Sequence, residues 1–506
     1  MGGVIQAAAL LQGGLDISTL LVFVIVFCLG IWLLRSYTEP RVNWPPGPRP
    51  LPIIGNLNKL GKPRQVDDLY LLFDQYGDIV HLKLGQVHAV ALGTYDVIFE
   101  ALVTKSHAFS DRLIKILVLP GLVEEDGAGI VRKNGHAWKE LRRMAISTLR
   151  DFGMGKTSLE AKIREEARCL VQGIEAKDGK PFDPKLLITH TVNNIISTIV
   201  FGSRHEIDDP FFSTMQQKLE ELFRTFGLGL TTFLPWAEIF MPSTENYKKL
   251  RVEKMKELTE MIKTEVEEHR KTFDPENIRD FIDCYLKTLQ EEKDLDVFTE
   301  KNVFFVIVDL YLAGTETTAS ALQWGVVHMM HHPDVQQKVQ AEIDRVIGRE
   351  KVPCYEDRHK MPYTEATVLE IMRRSPVAPN SLAHATSETV ELRGYTIPAN
   401  TLVIPDIGRV LRSPSYWEDP LEFRPERWLD KTGKVLKNDK YIPFSIGPRV
   451  CPGKNLAEIE DFIFFTTMLQ HFTFQNVPGQ ELPDVTKGPF HVTFEPYPFQ
   501  VRAVRR

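Results

Sequence analysis

Residues 444–453 read Phe-Ser-Ile-Gly-Pro-Arg-Val-Cys-Pro-Gly. Gly447 permits a tight turn, and Gly453 lets the backbone approach a flat ligand closely. Cys451 stands just ahead of an apolar helical run, NLAEIEDFIFFTTMLQHF, at 455–472. A sulfur at a helix N-terminus feels the positive end of the dipole and bare N–H donors, and both favour the thiolate, the form that ligates iron. Arg449, two residues earlier, can reach an anionic group lying beside the sulfur. A lone cysteine in a Gly/Pro loop is ordinarily a buried, inert thiol. Five specified positions in ten residues reverse that preference here.

Cys28, Cys169, Cys284 and Cys354 form no C-x-x-C pair and no C-x-x-C-H run with Cys451 or each other. A disulfide framework, a zinc ribbon and covalent haem attachment are therefore poorly supported. The chain has 506 residues, 43% hydrophobic and 25% charged, with a net charge of -6. That suits a large ordinary core and supplies no basic stripe for nucleic acid.

Upstream, Ala313-Gly-Thr-Glu-Thr-Thr318 interrupts a long apolar helical pattern. Glycine costs about 1 kcal/mol inside a helix, so Gly314 needs a reason; with Ala313 it could leave a gap for a ligand. Thr317 follows Ala313 by one helical turn and shares its face. Its hydroxyl can take a backbone acceptor and open the helix to water, and Glu316 can feed protons through such a channel. Glu370 and Arg373 lie on one helix face, as do Trp138 and Arg142. His328, His331 and His332 cluster near a helix end and are expected to be solvated rather than metal-bound.

The run ISTLLVFVIVFCLGIWLL at 17–34 has eighteen uncharged residues. As a helix it would be about 27 Å long, close to the apolar thickness of a bilayer. No basic residue precedes it, whereas Arg35 and Arg41 follow. This predicts a single-pass anchor with the body in the cytosol. The expected organisation is a membrane anchor at 1–35, a stiff proline-rich hinge at 36–52 and one domain at 53–506. Alternation at 78–91 predicts a β-hairpin, and 389–403 reads as strand. Helices are expected at 134–149, 158–174, 193–201, 247–270 and 302–330. The fold class is mostly α with a smaller β-rich part.

The 444–453 segment resembles the haem-binding loop of cytochrome P-450 enzymes, F-x-x-G-x-R-x-C-x-G, through Phe444, Gly447, Arg449, Cys451 and Gly453. The PPGP segment, NGHAWKELRR, FRPERW and PYPFQVRAVRR extend the resemblance to the animal microsomal family 2 enzymes over essentially the whole chain. It implies the P-450 fold, haem b with Cys451 as axial iron ligand, and propionate contacts from Trp138, Arg142, Arg449 and His384. Glu316 and Thr317 would deliver protons to dioxygen, while Glu370, Arg373 and Arg427 would form a buried charge network bracing the loop. The implied reaction inserts one oxygen atom into an apolar fatty acid, steroid or xenobiotic. Electrons would come from NADPH through a flavoprotein reductase, with cytochrome b5 as a candidate second donor, at the endoplasmic reticulum membrane.

A haem-thiolate isomerase, or a non-catalytic haem sensor, would keep Cys451 without needing the Glu316–Thr317 pair. The segments 113–122, 212–235 and 377–382 are the expected pocket walls, and their apolar content implies an apolar ligand. Pro448, Lys454 and Asp461 depart from the family pattern, the first two on the face expected to meet the reductase.

Overall fold

The computed structural model describes residues 42–59, 69–114, 127–152, 157–207, 209–225, 247–291, 296–490 and 492–506, plus isolated positions within 22–30 and 233–237. Its helices of ten residues or more are α1 (Gly135–Asp151), α2 (Thr157–Glu175), α3 (Lys185–Val200), α4 (Pro210–Thr225) and α5 (Tyr247–Thr272). They continue with α6 (Phe281–Gln290), α7 (Glu300–His331), α8 (Pro333–Val346), α9 (Pro362–Arg374) and α10 (Lys454–His471). The strands are β1 (Ile79–Leu84), β2 (Val87–Leu92), β3 (His384–Ala385), β4 (Val390–Leu392), β5 (Tyr395–Ile397), β6 (Leu402–Pro405), β7 (Phe472–Gln475) and β8 (Arg502–Arg505). Mostly helical with a smaller sheet part, this is the expected class.

Helix α7 is the axis of the molecule. Its start is set by Thr299, whose side chain accepts the Asn302 N–H at 3.2 Å, satisfying one of the four orphan donors of a first turn. Apolar residues surround it on most sides, the pattern of a core helix rather than a surface one. Val306, Ile307, Val308, Trp324 and Val327 are fully buried against the neighbouring helices. Each such burial stabilises by about 1.5–3 kcal/mol before entropy is charged. Proline opens both α8 and α9, where its missing N–H costs nothing.

The predicted hairpin is β1–β2, antiparallel with Leu84 opposite Val87. Residues 389–403 divide instead between two sheets. β4 and β5 form a hairpin turned by Arg393 and Gly394, both at positive φ. β6 leaves it to pair in parallel with β2, giving the order β1-β2-β6-β3. β7 and β8 form a third, two-stranded sheet.

Helix α3 begins at Lys185, eight residues before the expected 193. Ile188 to Ser197 are buried without a break, the polar Thr189, His190, Asn193 and Asn194 included, so the polar face of this helix meets protein rather than solvent.

The expected hinge is docked onto the body from residue 43 onward. Asn43 O accepts the Thr396 N–H at 2.9 Å and Pro46 O accepts the His81 N–H at 3.0 Å. Trp44 stacks on His81 and His88, with ring centroids 4.3 and 4.8 Å away. The anchor at 17–34 lies largely outside the described residues. Among those described, α7 is the one helix long and apolar enough to cross a membrane, and it is mostly buried in the fold.

His328, expected to be solvated, is 1% exposed. It packs between Trp324 and Phe423 and lies 2.9 Å from Ser375 Oγ. Burial pushes its pKa well below the ordinary value, so it is a neutral core imidazole.

Candidate active site

The cysteine loop is shaped by one residue that must be glycine. Gly447 has φ +79°, and a Cβ there would lie 2.0 Å from Leu102 O. That close approach folds 444–451 back on itself: Phe444 O accepts the Cys451 N–H and Gly447 O the Val450 N–H, both at 3.0 Å. Phe444 packs beside the cluster of Ala321, Met372 and Val377, pinning the loop to α7 and α9. Helix α10 then starts at Lys454, directly after Gly453.

The backbone N–H groups of Gly453 and Lys454 and the Arg142 guanidinium lower the Cys451 thiol pKa, but burial, the largest effect, raises it. The donors are thus arranged around an anion that burial alone disfavours, and a bound cation resolves the conflict. A Cβ on Gly453 would find the Cys451 sulfur at 3.9 Å and no closer described atom. No protein neighbour requires that glycine, which leaves the flat ligand as its reason.

Beside the sulfur lies a wall of positive charge. Arg449 donates to Ser110 O at 2.8 Å, Ile130 O at 3.1 Å, Lys133 O at 2.7 Å and Asn134 Oδ1 at 3.2 Å. Its guanidinium carbon stands 3.8 Å from the Trp138 ring centre. Arg142, one turn along α1 from Trp138, donates to Val450 O. Arg112 donates to Leu382 O at 2.6 Å and Ala383 O at 2.8 Å.

Among the described residues, no carboxylate forms a salt bridge with these three arginines. Burial, then Arg112, pushes the Arg449 pKa down to about 8; burial, then Arg142, pushes Arg112 down to about 10. Arg112 Nε, Trp138 Nε1 and His384 Nε2 are buried without a partner. His384 Nδ1 lies 2.8 Å from Phe109 O, which can only accept, so Nδ1 is the donor. Buried cations and the orphaned Arg112 and Trp138 N–H donors beside a thiol fit a flat ligand that carries a metal and two carboxylates, whereas Nε2 of a neutral His384 is an acceptor and meets a carboxylate only when protonated. Haem b has that composition.

Arg112 was not among the residues singled out from sequence. Its place in the wall comes from the bridge between Asp111 and Ala385, which sets it beside His384. Nothing in its local sequence announces that contact.

On α7, Thr317 Oγ1 donates to Ala313 O at 2.6 Å, as expected, yet the helix stays α-helical throughout. Gly314 packs closely against α3: a Cβ there would lie 3.0 Å from Ile196 Cδ1. The small open surface is Ala313, exposed in mid-helix, beside the half-buried Thr317.

Glu316 lies about 100° round the helix from Thr317 and about 60° from Ala313. Its carboxylate lies 4.0 Å from Lys185 Nζ. Burial, followed by the neighbouring Glu495, raises its pKa to about 7. Glu316 and Thr317 are sequence neighbours without a hydrogen bond between their side chains, so any proton passing between them needs water.

The remaining charges converge on Glu370. Arg373 grips it through Nε and Nη2, both at 2.8 Å. Arg427 Nε reaches it at 3.0 Å, the Trp428 indole N–H at 2.9 Å and the Arg424 backbone N–H at 2.9 Å. Arg373 also holds Leu411 O, Pro420 O and Glu422 O. This geometry ties α9 to the segment leading into the cysteine loop.

The Cytochrome P450 family profile matches residues 45–503. Cytochrome P450 2B4 of Oryctolagus cuniculus is 37% identical over 503 residues, covering 97% of this chain and 100% of its own. Cytochrome P450 2H1 of Gallus gallus is 36% identical, covering 97% and 99%. Cytochrome P450 2A13 of Homo sapiens is 37% identical, covering 95% and 97%. With the loop, the charge wall and near full-length similarity in agreement, this chain belongs to the cytochrome P450 family of haem-dependent monooxygenases.

Proposed function

We propose that the chain inserts one oxygen atom of dioxygen into an apolar small molecule, a fatty acid, steroid or xenobiotic, with Cys451 as the residue that would hold the haem iron. The observation that carries this reading is Cys451 at the mouth of α10, beside the backbone N–H groups of Gly453 and Lys454 and the Arg142 guanidinium, with Arg449 and Arg112 buried nearby. Bound haem supplies dioxygen binding and activation, helped by electron donation from a thiolate.

The protein does the rest. Arg112, Arg142, Arg449, Trp138 and His384 hold the two propionates and so fix the ligand plane. Gly447 and the Glu370 network keep the cysteine loop in place. Glu316 releases a proton toward the pocket, and the Thr317 hydroxyl positions the water that receives it. Leu113 and Val377 give apolar side chains to the walls; much of 115–126 and 226–246 lies outside the described residues.

Electrons come from NADPH through a flavoprotein reductase, with cytochrome b5 as a second donor. The run at 17–34 anchors the chain in the endoplasmic reticulum membrane with the body in the cytosol. Protease protection in sealed vesicles tests that orientation. The test of the ligand is Cys451→Ala: the thiolate signature of the reduced carbonyl complex and all turnover should vanish. Retention of the signature would assign the iron to another residue.

A further inference from the structure

Glu316 is the innermost member of a cluster drawn from four parts of the chain. Lys185, at the start of α3, lies 2.9 Å from Glu495 Oε2, 3.6 Å from Glu220 Oε1 of α4 and 4.0 Å from Glu316 Oε1 of α7. One lysine therefore faces three carboxyl groups. Side-chain exposure falls along the cluster from Glu220 at 43% through Lys185 at 28% and Glu495 at 17% to Glu316 at 11%. Burial and then Glu495, held under the same lysine, oppose ionisation of Glu316, and a proton on Glu316 relieves the repulsion between the two acids.

Glu495 is held in place by its neighbour. Phe494 is 1% exposed, its N–H donates to Val377 O at 2.7 Å and its carbonyl accepts the Trp324 indole N–H at 3.0 Å. A Cβ on Gly488 would lie 1.9 Å from Glu495 O, so the strand cannot retreat or be padded without moving Glu495.

We propose that Glu495 and Lys185 form the proton inlet of the distal site. Glu316 and Glu495 hold one proton between them under Lys185. When Glu316 gives that proton to the pocket its O–H breaks and the pair is left ionised; Glu495 then takes a proton from the solvent side near Glu220, and its new O–H breaks as the Glu316 O–H re-forms. The inlet rests on the reading of Glu316 as proton donor.

The test uses the full-length holoenzyme and two readouts, one independent of turnover. The first is the hydrogen/deuterium-sensitive C=O band of a protonated carboxyl group, followed by infrared spectroscopy through a pH titration. Its midpoint should lie near 7, given the raised pKa of Glu316. The band should disappear in Glu316→Gln. It should titrate at lower pH in Glu495→Gln, which loses a repelling acid, and at higher pH in Lys185→Met, which loses the balancing cation.

The second readout is product formed per NADPH consumed. Its pH profile should move in the same opposite directions, each unit of midpoint shift changing the protonated fraction about tenfold on the alkaline side. A purely structural role would damage both variants alike; Glu495→Asp should recover the profile. A band or a profile indifferent to Glu495→Gln and Lys185→Met, with Glu316→Gln still uncoupled, would overturn the inlet and leave Glu316 as donor. Unchanged coupling in Glu316→Gln would overturn the reading on which the inlet rests.

Discussion

Asp461 offers a stabilising substitution whose size follows from its surroundings. It lies in α10, 5% exposed, in the fully buried stretch Ile459–Gln470. Its Oδ1 has no hydrogen-bond partner. Burial and then the nearby Glu458 push its pKa well above the ordinary carboxyl range, so folding favours the neutral acid. Leucine has the same branched shape with methyls in place of oxygens. Asp461→Leu removes an unsatisfied polar group, which costs about 1–3 kcal/mol, and adds apolar burial in a helix that is otherwise greasy there. The variant should be more stable by about 1–3 kcal/mol at low pH, where the acid is neutral in both states, and by more than that near neutral pH. The pH dependence has a definite sign. With the folded pKa above the unfolded one, the native state binds more protons between the two values. Wild-type stability is then fully present below the unfolded pKa, about 3.9, and declines as pH rises toward the folded value, by at most about 1.4 kcal/mol per unit. The leucine variant lacks this slope. Urea midpoints for both proteins at pH 5 and pH 8, with haem content held equal, measure the gap. A variant no more stable than wild type, or a gap that fails to widen with pH, would refute the argument.

Glu370→Gln should cost about 3–5 kcal/mol, because it leaves Arg373 and Arg427 buried beside a neutral amide; the check is a lowered denaturation midpoint with an unchanged thiolate signature in whatever fraction retains haem. Gly447→Ala should prevent normal haem loading, since a Cβ 2.0 Å from Leu102 O forces the cysteine loop to shift; a normal Soret spectrum at full occupancy would contradict this. Thr317→Ala keeps helix propensity and should leave folding and substrate binding intact while releasing more peroxide per NADPH. Acid–base assistance is typically worth 10²–10⁴-fold, so an unaltered product-to-NADPH ratio would remove the hydroxyl from the proton path.

What the sequence made legible was whatever chemistry confines to a few adjacent residues. The cysteine loop needs a glycine at a position where a Cβ would strike Leu102, and a sulfur where α10 begins, so its pattern survives as text. Trp138 with Arg142, and Glu370 with Arg373, are readable because a helix turn fixes which side chains share a face. Glycine 314 shows the limit of that logic. Its cost inside a helix calls for a reason, and only the fold reveals the close approach of Ile196. Helix α3 runs back to Lys185 through Thr189, His190 and Thr191, polar residues that the fold buries along with the apolar ones.

The residues missed altogether are those whose partners are far along the chain. Arg112 meets Leu382 across 270 positions, and Lys185 meets Glu495 across 310. Each is unremarkable where it stands; a lone arginine or glutamate is usually a solvated surface charge. Their meaning arises from imbalance after folding: three arginines that form no salt bridge among the described residues on one side of the site, three carboxyls around one lysine on the other. The excess positive charge calls for an anionic ligand that stays bound, and the excess of acid is relieved by a proton. One charge error is corrected permanently and the other can be corrected and undone with every turnover, which is why the first set suits holding a cofactor and the second suits feeding protons to it.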